Sequence, residues 1–411
     1  MQETEIIVAH PGKQHSFQTA IILNNNHLLK RYCTSVYHKK GTIEYTLNNL
    51  LSKKDKNKAI SRRMRDFPDE KIAVLAELSG LISLLVNRIH VSSDFKRKVR
   101  RFASGRFNKK LCKICKKDSV SSVIMYDTNA FECFSYLKTK KPSVIRILDM
   151  SAVARPYAAQ ILLEESARVN DPVFTDGCKY LTDKKYIMKS TEEIEMADYL
   201  LVASSFTKQS LISCGVSEEK IKLIPYGIDI NSTNPHDYHS KEKLKIIYVG
   251  YVDYTKGIHY LLDAIMEMQD VELDIYGVVN QKSKIFNTGK NMNNVHFHGF
   301  VSKEELNRAY GEADVFVFPS LIDGFGMVIL EAMSQGLPVI VTENCAGHDV
   351  VEDQKDGFVI QAFSSDIIQE KIRYFLNNRN AVQEMGCHAY RSSLKFSKDS
   401  YEKKLEPVDT I

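Results

Sequence analysis

Short apolar runs recur along this chain, each closed by a glycine, proline or acidic residue, and most are followed by a stretch with helical spacing. That alternation constrains the fold more than any other feature. It is the pattern of α/β domains, in which parallel strands are joined by crossover helices. Glu5-Ile-Ile-Val-Ala9 reads as the first strand, His10-Pro-Gly12 breaks it, and Gln14 to Leu23 reads as a helix. Ser121–Met125, Ser143–Leu148, Tyr199–Ala203 and Lys220–Ile224 are further strands. Ser204-Ser205 then caps a helix. The stretch from Lys53 to Lys117 is polar and mostly helical, and reads as an insertion.

The alternation begins afresh after a polar segment, 231 to 243, rich in turn-forming residues. Leu244–Val249, Val271–Tyr276, Val295–Phe297, Asp314–Phe318, Pro338–Val341 and Gly357–Ile360 read as strands. Helices fall at Ile258–Met268, Lys303–Gly311 and Phe325–Gln335. The expectation is therefore two Rossmann-like domains in series, 1–230 and 231–396, with 397–411 packing back on the first. With 411 residues, such a chain buries two sizeable cores without disulfide or metal staples.

Composition narrows the function classes. Charged residues make up 26% and hydrophobic ones 44%, as in an ordinary globular protein. No run of about 18 uncharged apolar residues stands out as a spanning helix. The eight cysteines are scattered, with Cys112-Lys-Ile-Cys115 as the one close pair, so a zinc ribbon lacks its second half. Reduced thiols and a cytoplasmic setting are the expectation. Net charge is only +5, yet from Arg88 to Lys117 twelve cations face two nearby acids, Asp94 and Asp118. Val99, Phe102, Phe107, Leu111 and Ile114 interleave with them. This reads either as a solvated helix face or as a basic amphipathic element on an anionic membrane surface. No nucleic-acid recognition motif accompanies the charge.

The richest motif is Asp323-Gly324-Phe325-Gly326-Met327 followed by Glu331-Ala332-Met333. Its two carboxylates stand eight positions apart, one before a helix and one about two turns inside it. Glycines let backbone amides come close to a ligand, and amides that open a helix suit an anion such as a pyrophosphate. An acid two turns along can hydrogen-bond a ribose diol. Taken singly, Gly-Phe-Gly is a packing turn and Glu331 a surface acid. The preceding Val-Phe-Val-Phe-Pro-Ser strand makes the composite far more specific.

With these residues the chain resembles family 4 of the retaining glycosyltransferases, which have the GT-B fold, over roughly 195 to 360. The family carries Glu where Asp323 stands. Ala313-Asp314 and Pro319-Ser320 before the motif, and Gly336-Leu-Pro338 after it, match as well. In Val249-Gly250-Tyr251-Val-Asp-Tyr-Thr-Lys256-Gly257 the family presents an Arg and a Lys to the donor pyrophosphate. Here Lys256 is present, and Tyr251 replaces the Arg, which removes a bidentate partner. Asn294 to Phe300 matches the place where the family cradles the nucleotide base, Phe300 included. His296 and His298 there read as edge-strand residues, without a third ligand for zinc. Pro225-Tyr226-Gly227-Ile228-Asp229 matches the family's interdomain element.

The resemblance implies an acceptor site in the first domain. Gly12, Lys13 and His15 follow the first strand, where the family has a loop that closes over the donor phosphate. Asp149, Ser151 and Arg155 follow a later one, where the family often has a histidine. Glu164-Glu165 reads as a solvated helix face. The expected activity is transfer of a hexosyl residue from a UDP- or GDP-linked sugar to a saccharide or lipid-linked saccharide, in surface polysaccharide synthesis, with retention. Lys256 and the amides of Phe325 to Met327 would steady the leaving diphosphate. No D-x-D motif is visible, so neither metal nor other cofactor is expected. A nucleotide-sugar epimerase and a non-catalytic nucleotide-sugar binder are the rival readings. A dehydrogenase fits less well, because the Gly-x-Gly-x-x-Gly fingerprint is missing.

Overall fold

The computed structural model describes residues 5–12, 15–47, 53–89, 91–230 and 242–405. Among these residues the strands are β1 (Ile6–Ala9), β2 (Leu29–Thr34), β3 (Ile72–Val74), β4 (Ser122–Tyr126), β5 (Ile145–Met150), β6 (Tyr199–Val202) and β7 (Ile221–Leu223). Six more follow: β8 (Leu244–Val249), β9 (Val271–Tyr276), β10 (Val295–Gly299), β11 (Val315–Phe318), β12 (Val339–Thr342) and β13 (Gly357–Ile360). They form two sheets, in the orders β3-β2-β1-β4-β5-β6-β7 and β10-β9-β8-β11-β12-β13. Pairs along both are parallel, for example β1 with β2 and β4, and β8 with β9 and β11. The α/β, GT-B-type class read from the sequence is the class observed.

Parallel strands covered on both faces are apolar throughout, not alternately. Ile6, Ile7, Val8 and Ala9 of β1 are wholly buried, as are Ile246, Ile247 and Tyr248 of β8. Strand order reverses between β1 and β4 in the first sheet, and between β8 and β11 in the second. At such reversals the loops at the carboxyl ends diverge and leave a crevice, which is where doubly wound sheets bind ligands.

Residues group into two compact units. One holds the chain up to Met150, Met188–Leu201 and the chain from Glu402 on; the other holds Ser151–Ile187 and Val202–Tyr401. The sequence boundary at 231 falls on residues 231–241, which lie outside the described residues.

Two strands, β2 and β3, are absent from the sequence reading. β2 went unread because Lys30 and Arg31 interrupt its apolar run; Lys30 pairs with Glu5, and Arg31 Nε lies 3.3 Å from Asp118. The supposed insertion contains β3, which pairs with β2 and is an edge strand of the sheet. Three residues are too few to show a period of two. The rest of that stretch is helical, at Lys53–Ile60, Glu77–Arg88 and Ser93–Lys117.

Candidate functional site

The loops after β8 and β11 meet where the second sheet reverses its order. Asp253 caps a single turn, Tyr254–Lys256, accepting the Lys256 amide at 3.3 Å and the Thr255 hydroxyl. Gly257 then turns the chain at φ 65°, and a Cβ there would sit 1.8 Å from the Pro319 carbonyl oxygen. Only glycine fits. The Thr255 carbonyl accepts the amides of Leu321 and Ile322 at 3.0 and 3.2 Å. Asn344 holds the same loop from its other side, its Nδ2 donating to Leu321 O at 2.9 Å and its carbonyl accepting the Asp323 amide at 3.0 Å.

This stapling brings Lys256 Nζ to 2.6 Å from Asp323 Oδ2 and 3.3 Å from Ile322 O. Both side chains remain about one fifth exposed, 21% and 20%. The other Asp323 oxygen accepts the Phe325 amide at 2.9 Å. So Asp323 orders the loop and neutralises Lys256 at once. That amide, expected to face a phosphate, is engaged within the protein.

The helix begins at Met327 rather than Phe325, with Gly326 at φ 84° as its cap. Gly324 is pinned by its carbonyl, which accepts the hydroxyls of Ser204 at 2.6 Å and Thr207 at 3.1 Å. A Cβ on Gly324 would lie 2.3 Å from the Ser151 carbonyl oxygen. Ser204 therefore caps its own helix and also holds the glycine loop; only the first role was legible in Ser-Ser before an apolar run. Phe325 is buried and packs edge-on against Tyr226, with ring centroids 5.3 Å apart, and its carbonyl accepts the Ala346 amide at 2.9 Å.

Glu331 lies one turn further along, half-buried. Burial pushes its carboxyl above the usual range, against the pull of Lys303 and the Tyr310 hydroxyl. On the other side of the crevice Gly250, at φ 153°, lets its carbonyl approach Gly277; a Cβ on Gly277 would be 1.7 Å from it. The Tyr248 hydroxyl donates to Tyr251 O at 2.8 Å, and the Tyr251 ring is 55% exposed. Phe300 is 87% exposed just after β10. His298 Nε2 lies 2.6 Å from Asp274 Oδ1, and its ring is stacked on Tyr276. Among the described residues no group of three or more His, Cys, Asp or Glu side chains could hold a metal ion.

The first sheet has its own cluster at the β1/β4 reversal. His15 Nε2 lies 3.7 Å from Asp149, at the end of β5. His10 Nδ1 is 2.7 Å from Gly12 O and 3.1 Å from Gly12 N. Both imidazoles meet the Tyr126 ring edge-on, with centroids 5.3 and 5.2 Å away. Burial lowers His10 to about 4, so it is neutral at physiological pH. Burial acts the same way on His15, but Asp149 and then Asp127 outweigh it and raise its pKa.

Gly12, His15 and Asp149 thus come together, whereas Ser151 belongs with Gly324 in the other unit. Lys13 lies outside the described residues. Arg155 sets its guanidinium over the Tyr180 ring, 5.1 Å away. The Glu164-Glu165 pair divides. Glu164 is exposed, but Glu165 is buried, 2.7 Å from His259 Nε2 and 3.2 Å from the Tyr260 hydroxyl. A lone acid in a helix gives no sign in sequence of a partner some ninety positions away.

Residues 232–392 match the family described as "Glycosyl transferases group 1". The chain is 29% identical to the sulfoquinovosyl transferase SQD2 of Arabidopsis thaliana over 49% of its own length and 42% of that protein's. It is 27% identical to the capsular polysaccharide biosynthesis glycosyltransferase CapM of Staphylococcus aureus, over 56% of this chain and 66% of CapM. The chain thus covers less than two thirds of either relative. The structure of Anabaena HepE in complex with UDP and glucose superposes with TM-score 0.61 at 15% identity, covering 99% of this chain and 100% of HepE. The chain has a GT-B fold, and residues 232–392 within its second half match the group 1 glycosyl transferases.

Proposed function

We propose that the protein transfers a hexosyl residue from a nucleotide sugar to a saccharide or lipid-linked saccharide, with retention of anomeric configuration and without a metal. The observation that carries this reading is the Lys256–Asp323 pair, set beside a glycine-capped helix N-terminus where the second sheet reverses. Breaking the anomeric C–O bond puts negative charge on the departing diphosphate. A lysine and helix-terminal amides fixed in advance stabilise that charge without reorganising. In this reading Glu331 accepts hydrogen bonds from a ribose diol, and the exposed rings of Tyr251 and Phe300 would stack on a base. The match to group 1 glycosyl transferases and the UDP bound in the HepE complex support the donor class. The role of CapM in capsular polysaccharide biosynthesis supports the acceptor class.

The His15–Asp149 pair is the corresponding candidate for the acceptor, a charge-stabilised imidazole at the first sheet's crevice. The leaving phosphate itself can take the acceptor's proton, so His15 would orient a hydroxyl and not remove its proton.

Incubation with a panel of UDP- and GDP-linked sugars, with and without saccharide acceptors, tests the reading. Release of the nucleoside diphosphate together with a glycosylated product of retained configuration, undiminished by EDTA, is expected. Epimerised donor with no transfer, or an absolute need for divalent metal, would overturn it.

A further inference from the structure

Large hydrophobic side chains are unevenly exposed in this protein. Of the nineteen exposed ones among the described residues, ten lie between Ile43 and Phe102. The helix Glu77–Arg88 shows why this is not scatter. Leu78, Ile82 and Leu85, with Ile89 at its end, are 63%, 44%, 60% and 51% exposed. At 3.6 residues per turn these four fall within an arc of about 60°, a straight stripe roughly 16 Å long. The opposite face is anchored: Ser79 and Gly80 are buried, and a Cβ on Gly80 would lie 2.8 Å from Ser35 Cβ. The stripe is therefore held outward by packing behind it.

The next helix, Ser93–Lys117, packs against this one, and Lys96 Nζ donates to Asn87 O at 3.2 Å across the pair. It carries eleven lysines and arginines and one acid, Asp94, which is already paired with Arg97. Ala103, Phe107, Leu111 and Cys115 bury one face. Phe95, Lys98, Phe102, Arg106, Lys109 and Lys113 are exposed and share the face opposite, on the same 3.6-residue count. An aliphatic stripe next to such a charge has one fitting partner chemistry. A bilayer offers an acyl layer to the leucines and isoleucines and anionic headgroups to the cations. Nucleic acid would satisfy the cations and leave the stripe in water.

We infer that this helix pair docks the protein on an anionic lipid bilayer, with Leu78, Ile82, Leu85 and Ile89 entering the acyl boundary. The assignment locates the contact on the first helix as well as on the basic stretch, and it stands whether or not the transfer reaction is as proposed.

Sedimentation of the full chain with phosphatidylcholine vesicles, and with phosphatidylcholine–phosphatidylglycerol vesicles, tests it. Wild-type protein should partition onto the mixed vesicles and be released by salt. Substituting Leu78, Ile82 and Leu85 with Ser removes exposed side chains only, so the thermal midpoint should hold while partitioning is lost. Replacing Lys109, Lys110 and Lys113 with Gln should lower partitioning onto anionic vesicles by roughly a hundredfold, at about 1 kcal/mol per cation, and flatten its salt dependence. Equal wild-type partitioning onto neutral and anionic vesicles, unchanged partitioning of the Ser variant, or retention by RNA without vesicle binding would each overturn the inference. Nucleoside diphosphate affinity, measured alongside, should be the same in all three proteins.

Discussion

Lys256 and Asp323 set the chemistry at the scale of single residues. Removing the ammonium in Lys256→Ala should weaken nucleoside diphosphate binding by about 1.5–3 kcal/mol, the usual worth of a hydrogen bond to a charged group. Calorimetry reads this directly, and an unchanged affinity would take Lys256 out of the site. Asp323→Asn acts in the opposite sense on binding, because it frees the lysine from its partner. Diphosphate affinity should hold or rise while turnover falls; loss of affinity in a folded variant would place Asp323 elsewhere. In the other unit the two histidines should titrate apart. Buried His10, at about 4 against 6.5 in the unfolded chain, leaves the unfolded state holding more protons between those values. Stability therefore rises through that window by at most about 1.4 kcal/mol per pH unit. His15 is raised, so its contribution is present below 6.5 and fades as pH climbs past its folded value. Ring resonances followed by NMR should show His10 neutral down to about 4 and His15 protonated above 6.5; the reverse order would refute the assignment.

Turns rather than helices position the charged groups, and this is where the sequence was least readable. Asp253 and Gly257 bracket Lys256, one capping its turn and the other reversing the chain at positive φ. Asp253→Ala should cost about 0.5–2 kcal/mol of stability, as cap losses do, and weaken diphosphate binding without touching the ligand. Gly257→Ala meets both the left-handed backbone and the Pro319 carbonyl, so it should lower the thermal midpoint more than Asp253→Ala does. A midpoint within error of wild type would show that the loop adjusts. Lys256 and Asp323 were legible in sequence, because a lysine before glycine and an acid before Gly-Phe-Gly stand out against apolar strands. Their direct pairing was not, since it depends on Thr255 and Asn344 joining segments some seventy positions apart through backbone groups. Buried strands such as β8 and β9 were read to the residue because burial on both faces leaves unbroken apolar runs. β2 and β3 were not, one holding two cations and the other only three residues. Glu165 shows the same limit, as its burial depends on His259 and Tyr260.

Across the whole molecule, each sheet sets one basic side chain against a carboxylate near the point where its strand order reverses: His15 with Asp149, and Lys256 with Asp323. No helix among the described residues is long and apolar enough to cross a membrane. A ligand held at the second pair should raise the thermal midpoint with the logarithm of its concentration, by about 2.7 kcal/mol of stability at a hundredfold excess over its dissociation constant. The same addition should stabilise Lys256→Ala by only about 0.3–1.3 kcal/mol, given its weaker affinity; an equal shift in both proteins would mean binding elsewhere. The Lys256–Asp323 pair also gives the lysine a counter-ion from within the protein. An incoming anion has to displace a resident carboxylate, so affinity should climb steeply with ligand charge. Nucleosides and nucleoside monophosphates should compete poorly where diphosphates compete well. That selectivity against abundant weaker anions should collapse in Asp323→Asn, where no resident counter-ion remains to be displaced.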